Sequence, residues 1–234
     1  MTTTITDDNG LMFVLQAATA SFPTGAFSHS YGFETLISLG GIADADGLGR
    51  EAARWLRHGL APADAAGVAL AHEAALAGDA RELARIDETL HALKLTRETR
   101  EASLSTGGAF LTAILDALPG PRAAEFKRQI DDGRCAGHYA TAFGVATADA
   151  GVGRRTAVIS FLHGSLSSLI GVAARIIPLG QIAVQRLLAQ ARPQVLTCAD
   201  VALRTPLDEL ATATAGLDVA SMAHERLYTR LCIS

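Results

Sequence analysis

Four short stretches of this 234-residue chain hold residue types that could do chemistry. The first, SFPTGAFSHSYGFE (Ser21 to Glu34), sets a histidine between two serines: Ser28, His29 and Ser30. That is a nucleophile beside a base. Neighbours in sequence rarely bring their side chains together, however, and a triad needs a geometry that adjacency does not supply. No GxSxG elbow accompanies it. HEAAL (72–76) and HERLY (224–228) begin as the zinc-hydrolase motif HExxH does, but Leu76 and Tyr228 stand where the second imidazole must be. His72 therefore reads as a helix-surface residue. GVGRRT (151–156) is glycine-containing, yet it lacks a preceding strand and a downstream acid, and no GxxxxGK[ST] loop occurs. The seven histidines do not cluster in sequence. A helical hydrolase using Ser28 and His29, or a histidine-based metalloenzyme assembled by folding, is the rival enzyme reading.

Other polar residues suggest contact rather than reaction. Phe22-Pro23-Thr24-Gly25 fits a type I turn, with proline second and glycine fourth. Ser28 or Ser30 then caps a helix that carries Glu34 near its positive end. Arg97 and Glu101 are four apart on one helical face, followed by Ser103 and Gly107, small enough to admit a neighbouring helix. Arg175 ends a long uncharged segment and needs a carboxylate or a partner surface. Gln181 and Gln185 share a face just beyond it. The last stretch, SMAHERLYTRLCIS, is amphipathic, and an end on Leu-Cys-Ile-Ser should be tucked into this protein or another one.

Helical periodicity must position these residues. Leu83, Ile86, Leu90 and Leu93 recur at threes and fours behind a capping Asp79, with Glu82 at the third helical position. Thr205-Pro206-Leu207-Asp208 reads as another helix start, and Gly78 and Gly216 as stops. The pattern predicts helices near 9–20, 29–39, 46–59, 63–77, 80–95, 97–117, 121–132, 137–149, 155–175, 179–191, 206–215 and 218–231. No run alternates apolar and polar residues, so no sheet is expected. The fold class is all-α, a single compact multi-helix bundle over 1–234 with a docking segment at about 218–234.

The totals bound the rest. A chain of 24.3 kDa with 49% apolar but only 5% aromatic residues leans on alanine, leucine and glycine, which let helices approach closely. A net charge of −4 without a basic block argues against nucleic acid as a partner. Three dispersed cysteines fit a reduced, cytoplasmic setting, and the polar, acidic N-terminus lacks the basic region of a signal peptide. Residues 156–174 carry no charge and reach spanning length, but their serines, threonine, His163 and flanking arginines favour a buried core helix over a membrane span.

Five blocks occur in the order and spacing of one family. SFPTGAFSHSYGFE, RETREASLSTGG, GHYATAFGVA, AARIIPLGQIAVQRLL and SMAHERLYTRLCIS resemble UreF, a urease accessory family, across nearly the whole chain. The segments at about 40–95 and 118–132 match only in helical character and length. The resemblance implies an all-helical, non-enzymatic protein that dimerises. It implies partnership with UreD (UreH in some species) and the GTPase UreG to promote nickel insertion into apo-urease. No cofactor is expected on this chain, nickel and GTP being handled by the partners. It further implies a GTPase-facing surface at Pro23, Gly25, Ser28, Ser30, Tyr31, Gly32, Glu34, Arg175, Pro178, Gly180 and Gln181. A UreD-facing tail would use His224, Glu225, Tyr228, Arg230 and Leu231. Cys232 stands where the family commonly has phenylalanine, and a smaller side chain there would fill a partner pocket less well.

Overall fold

The computed structural model describes residues 7–233, which form helices and turns and, among the described residues, no strand. The expected all-helical class is observed. Helix α1 (Asp8–Ala17) starts where the Asp7 carboxylate accepts the Gly10 amide at 2.7 Å. After the first loop comes short α2 (Phe33–Ser38). Then α3 (Ala45–Trp55) runs through a π-helical stretch, Leu56–Ala65, into α4 (Ala66–Ala77) without a break. Next come α5 (Ala80–Leu93), capped by Asp79 as expected, α6 (Arg97–Ala117), capped by Thr96, and α7 (Pro121–Asp131). The chain continues through α8 (Tyr139–Asp149), α9 (Arg154–Ile176), α10 (Gln181–Ala202) and α11 (Ala215–Ala223).

Helix α8 is the centre of the bundle. Residues 140–148 are all buried, packed against α4, α6, α7 and α9. The alanine-rich composition explains how. A Cβ on Gly144 would lie 2.6 Å from the Val68 carbonyl of α4, and one on Gly107 would lie 2.2 Å from the Gly137 carbonyl ahead of α8. Only glycine permits backbones this close. The few aromatics are concentrated beside this seam, with ring centroids 5.5 Å apart for Phe110–Phe143 and for Phe143–Phe161.

A buried carboxylate sets the start of α8. Asp87 of α5, fully shielded, accepts the amides of Ala136, Gly137 and His138 at 2.6–2.9 Å and the Thr141 hydroxyl at 2.8 Å. Three otherwise orphaned donors at a helix entrance are thereby satisfied by one side chain.

Several element boundaries depart from the sequence pattern. The expected helices 46–59 and 63–77 are one, because the chain passes Pro62 by widening into π winding instead of stopping. The expected helix at 206–215 is a single 3-10 turn, Leu207–Glu209, followed by extended chain. The amides of Ala211 and Ala213 instead serve the carbonyls of Pro62 (3.2 Å) and His58 (2.8 Å), the latter deprived of its usual helical donor by the proline. Helix α10 continues past Pro193 to Ala202, held by burial of Val195, Cys198, Ala199 and Ala202. Helix α9 is long and apolar enough by length and composition to cross a membrane, but half of its most apolar window is buried against neighbouring helices, as the core reading expects.

Close packing at Gly107 predicts a position-specific cost. Gly107→Ala should destabilise the protein to urea by about 3 kcal/mol, because backbone must move. Its neighbour Gly108 faces open space, so Gly108→Ala should leave stability unchanged or raise it by about 1 kcal/mol through helix propensity.

Candidate functional site

The first loop is built from tight local bonds. Thr24 donates its amide to the Phe22 carbonyl at 2.7 Å, a narrower turn than the expected type I turn at 22–25. Gly25, at φ 71°, then opens a 3-10 turn, Ala26–Ser28. The Ser28 hydroxyl donates to the Gly25 carbonyl at 2.7 Å, so it is spent on the turn rather than on an imidazole. His29 is buried, and that burial pushes its pKa below the ordinary range. Nothing here resembles an activated nucleophile. The expected serine cap is also absent: α2 begins after Gly32, at φ 86°, with no side-chain cap. Gly32 is needed because a Cβ there would sit 2.7 Å from the Leu217 carbonyl of α11.

The first loop and the C-terminal tail meet at one carboxylate. Glu34 is only 3% exposed. Its Oε1 accepts the Leu231 amide at 2.6 Å; its Oε2 accepts the Cys232 amide at 3.0 Å and His224 Nε2 at 2.7 Å. A carboxylate can only accept when ionised, so Nε2 carries the proton in that contact. The next amide, Ile233, donates to the Ser28 carbonyl at 2.8 Å. Burial pushes the Glu34 carboxyl up, but the Leu231 amide, the His224 imidazole and the Cys232 amide pull the other way and prevail, holding it below the ordinary glutamate value of 4.5. The Cys232 thiol, buried beside that charge, is pushed up to about 12 and stays protonated.

These contacts redistribute the residues expected at partner surfaces. Ser30, Gly32, Glu34 and His224 are buried, so the Glu34 charge is not presented at the surface and acts inside the chain. Cys232 is buried in this chain as well, and its own bond to Glu34 comes from a backbone amide that any residue but proline would supply at 232. Helix α11 ends at Ala223, and a 3-10 turn, His224–Arg226, and extended chain replace the expected helix to 231. Within the expected helix, the Leu231 amide goes to Glu34 instead of to a helical carbonyl. Outside lie Pro23, Glu225, Tyr228, Arg230 and Leu231, with Phe27, Met222 and Ile233 adding apolar surface; Gly25 and Tyr31 are half-buried. Glu225 pairs with Arg97 at the head of α6, which also faces Glu101 at 4.0 Å. Arg175 is exposed and donates to the Phe27 carbonyl at 2.6 Å, tying the end of α9 to the same loop. Pro178, Gly180 and Gln181 follow on the surface. The two expected surfaces are thus neighbours, bridged through Ser28 and Glu34.

The metal reading finds no support in the fold. Among the described residues no group of three or more His, Cys, Asp or Glu is placed to hold an ion. His72 is buried rather than on the helix surface, with Nε2 2.7 Å from the Val152 carbonyl. Folding does unite two histidines distant in sequence: His91 Nδ1 lies 3.1 Å from His138 Nε2, and His138 Nδ1 lies 3.0 Å from the Ser103 hydroxyl. No periodicity or motif announced that contact, nor the one between Glu34 and His224.

A model of the UreF family matches residues 42–192. The chain belongs to the UreF family. It is 30% identical to the urease accessory protein UreF of Bacillus sp. (strain TB-90) over 97% of this chain and all of the relative. It is 33% identical to that of Arthrobacter sp. (strain FB24) over 94% of this chain and 95% of the relative. With that of Rhodopseudomonas palustris (strain HaA2) it shares 37% identity over 90% of this chain and 88% of the relative. These relatives are named as accessory proteins rather than as enzymes. The first loop and the tail lie outside the residues that the family model matches.

Glu34→Gln keeps the volume but loses the charge and one acceptor oxygen. It should free the tail to limited proteolysis after residue 226 and lower stability by about 2 kcal/mol, with helix content retained. Because the folded pKa is lowered, the Glu34 contribution is full above pH about 4.5 and is lost as pH falls through the lower folded value. An acid titration followed by the methyl signals of Leu231 and Ile233 should therefore show tail release only below that pH.

Proposed function

We propose that this protein is a non-catalytic scaffold in urease maturation, which joins UreD (UreH) at its tail and the GTPase UreG at the first loop and the 175–181 turn. The assembly would act on apo-urease, with nickel and GTP handled by the partners and this chain working in the cytoplasm as a homodimer. Family membership supports the urease connection. The observation that carries the scaffold reading is that exposed Tyr228, Arg230 and Leu231 project from a backbone fixed at Glu34. A tail held in place loses less conformational freedom when it is bound, so such side chains act as pre-organised anchors.

The same junction gives the scaffold a way to make its partners interdependent. Moving the tail would break its bonds to Glu34 and Ser28 and disturb the loop that Arg175 also grips. Glu34 is then a positioning residue in this reading, and Arg175 the charge a GTPase can meet. Charge complementarity there would set specificity more than bulk affinity.

Co-purification from cells expressing the urease cluster tests the assignment. Tyr228→Ala combined with Leu231→Asp alters exposed side chains only, so folding should be unchanged. Affinity for UreD should fall roughly 30-fold or more, the loss expected of a single anchor residue or greater. Arg175→Ala should weaken UreG recruitment while UreD binding persists. Wild-type levels of both complexes and of urease activation in these variants would remove the proposal.

A further inference from the structure

Three departures from ordinary backbone and charge placement converge on one cavity of about 110 Å3 between the first loop, the π-helical stretch and the start of α11. First, the π winding of Leu56–Ala65 brings Gly59, Leu60 and Asp64 to its wall. Such winding is rare and concentrates at functional sites. Second, Tyr31 is, among the described residues, the one non-glycine at positive φ, 52°. A bulky side chain is seldom held there unless its surroundings enforce it. Its ring lines the cavity, stacked on Trp55 at 5.8 Å and 29°. Third, the wall carries a shielded ion pair, Lys94 Nζ to Asp64 at 2.7 Å, together with a second carboxylate, Asp218.

The charges do not balance. Asp64 neutralises Lys94, which leaves Asp218 in excess on a wall that is mostly apolar. Burial pushes the Asp218 carboxyl up, against a weaker opposing pull from Lys94. A positive group is what the cavity lacks. A metal ion is a poor candidate, because no three-donor set exists among the described residues. The remaining walls suit an organic cation. Beyond the Tyr31–Trp55 pair, Tyr139 and Phe161 lie with centroids 5.4 Å apart, and aromatic enclosures with a nearby carboxylate are how ammonium groups are held.

We propose that this cavity is a binding site for a small organic monocation, of the size range from methylammonium to tetramethylammonium, seated between the Asp218 carboxylate and the aromatic walls. The site is distinct from the tail and the Arg175 turn, and it does not depend on the identity of the protein's partners.

Trp55 is the chain's single tryptophan, so its fluorescence reports on this wall alone. The full-length protein is titrated with tetramethylammonium chloride against sodium chloride at constant ionic strength, with neopentyl alcohol as the neutral probe of similar shape. The expected result is a saturable change with a dissociation constant of about 1–10 mM for the cation, at least tenfold tighter than for the alcohol. Asp218→Asn should erase that preference while circular dichroism stays unchanged. No saturation with the cation, or an equal response to both probes, would overturn the proposal. Should Asp218→Asn fail to fold, the cation-over-neutral preference of the unaltered protein decides by itself.

Discussion

One shielded carboxylate, Glu34, determines where the last part of the chain lies. It takes amides from Leu231 and Cys232 and a proton donor from His224, the last across a sequence separation of 190 residues. A buried anion is costly unless its lone pairs are filled. Here the cost of burial is met only when the tail is in place, so the charge and the tail position imply each other. The exposed side chains of the tail are then presented in one register, instead of sweeping through an ensemble.

Asp87 repeats the device inside the bundle. It too is a carboxylate enclosed by amide donors, and it fixes the entry of α8, the helix on which the rest packs. The alanine and glycine seams of α4, α6 and α8 supply the close approach, and Asp87 supplies the direction. The two acids thereby divide the work: one orients the core, the other attaches the periphery.

Much of the core was legible from periodicity. Helices α5, α6 and α7 begin where Asp79, Thr96 and Pro121 place them, because caps and a first-turn proline act locally. The seam at Ser103 and Gly107 was readable from side-chain size. Local rules failed where distant chain supplied hydrogen-bond partners. The expected helices stopped at 59 and 191, short of Pro62 and Pro193, but tertiary burial and π winding carry the chain through both. Thr205-Pro206 looked like a helix start, yet the following amides were claimed by the carbonyls of His58 and Pro62.

The site was legible in composition but not in arrangement. The sequence marks Ser28, Glu34, Arg175 and the tail as unusual polar positions in an apolar chain. It does not show that Glu34 turns inward to meet His224, because no spacing rule links residues so far apart. Five blocks in order revealed the family; only folding revealed that the first and the last of them are a single junction. The most direct measurement of that junction is amide hydrogen exchange in the isolated protein, without partners. Leu231, Cys232 and Ile233 should be protected well above random-coil rates, together with the amides of α2. Exchange of those three amides at unprotected rates, in a protein whose helices remain protected, would show that Glu34 does not hold the tail and would contradict the account.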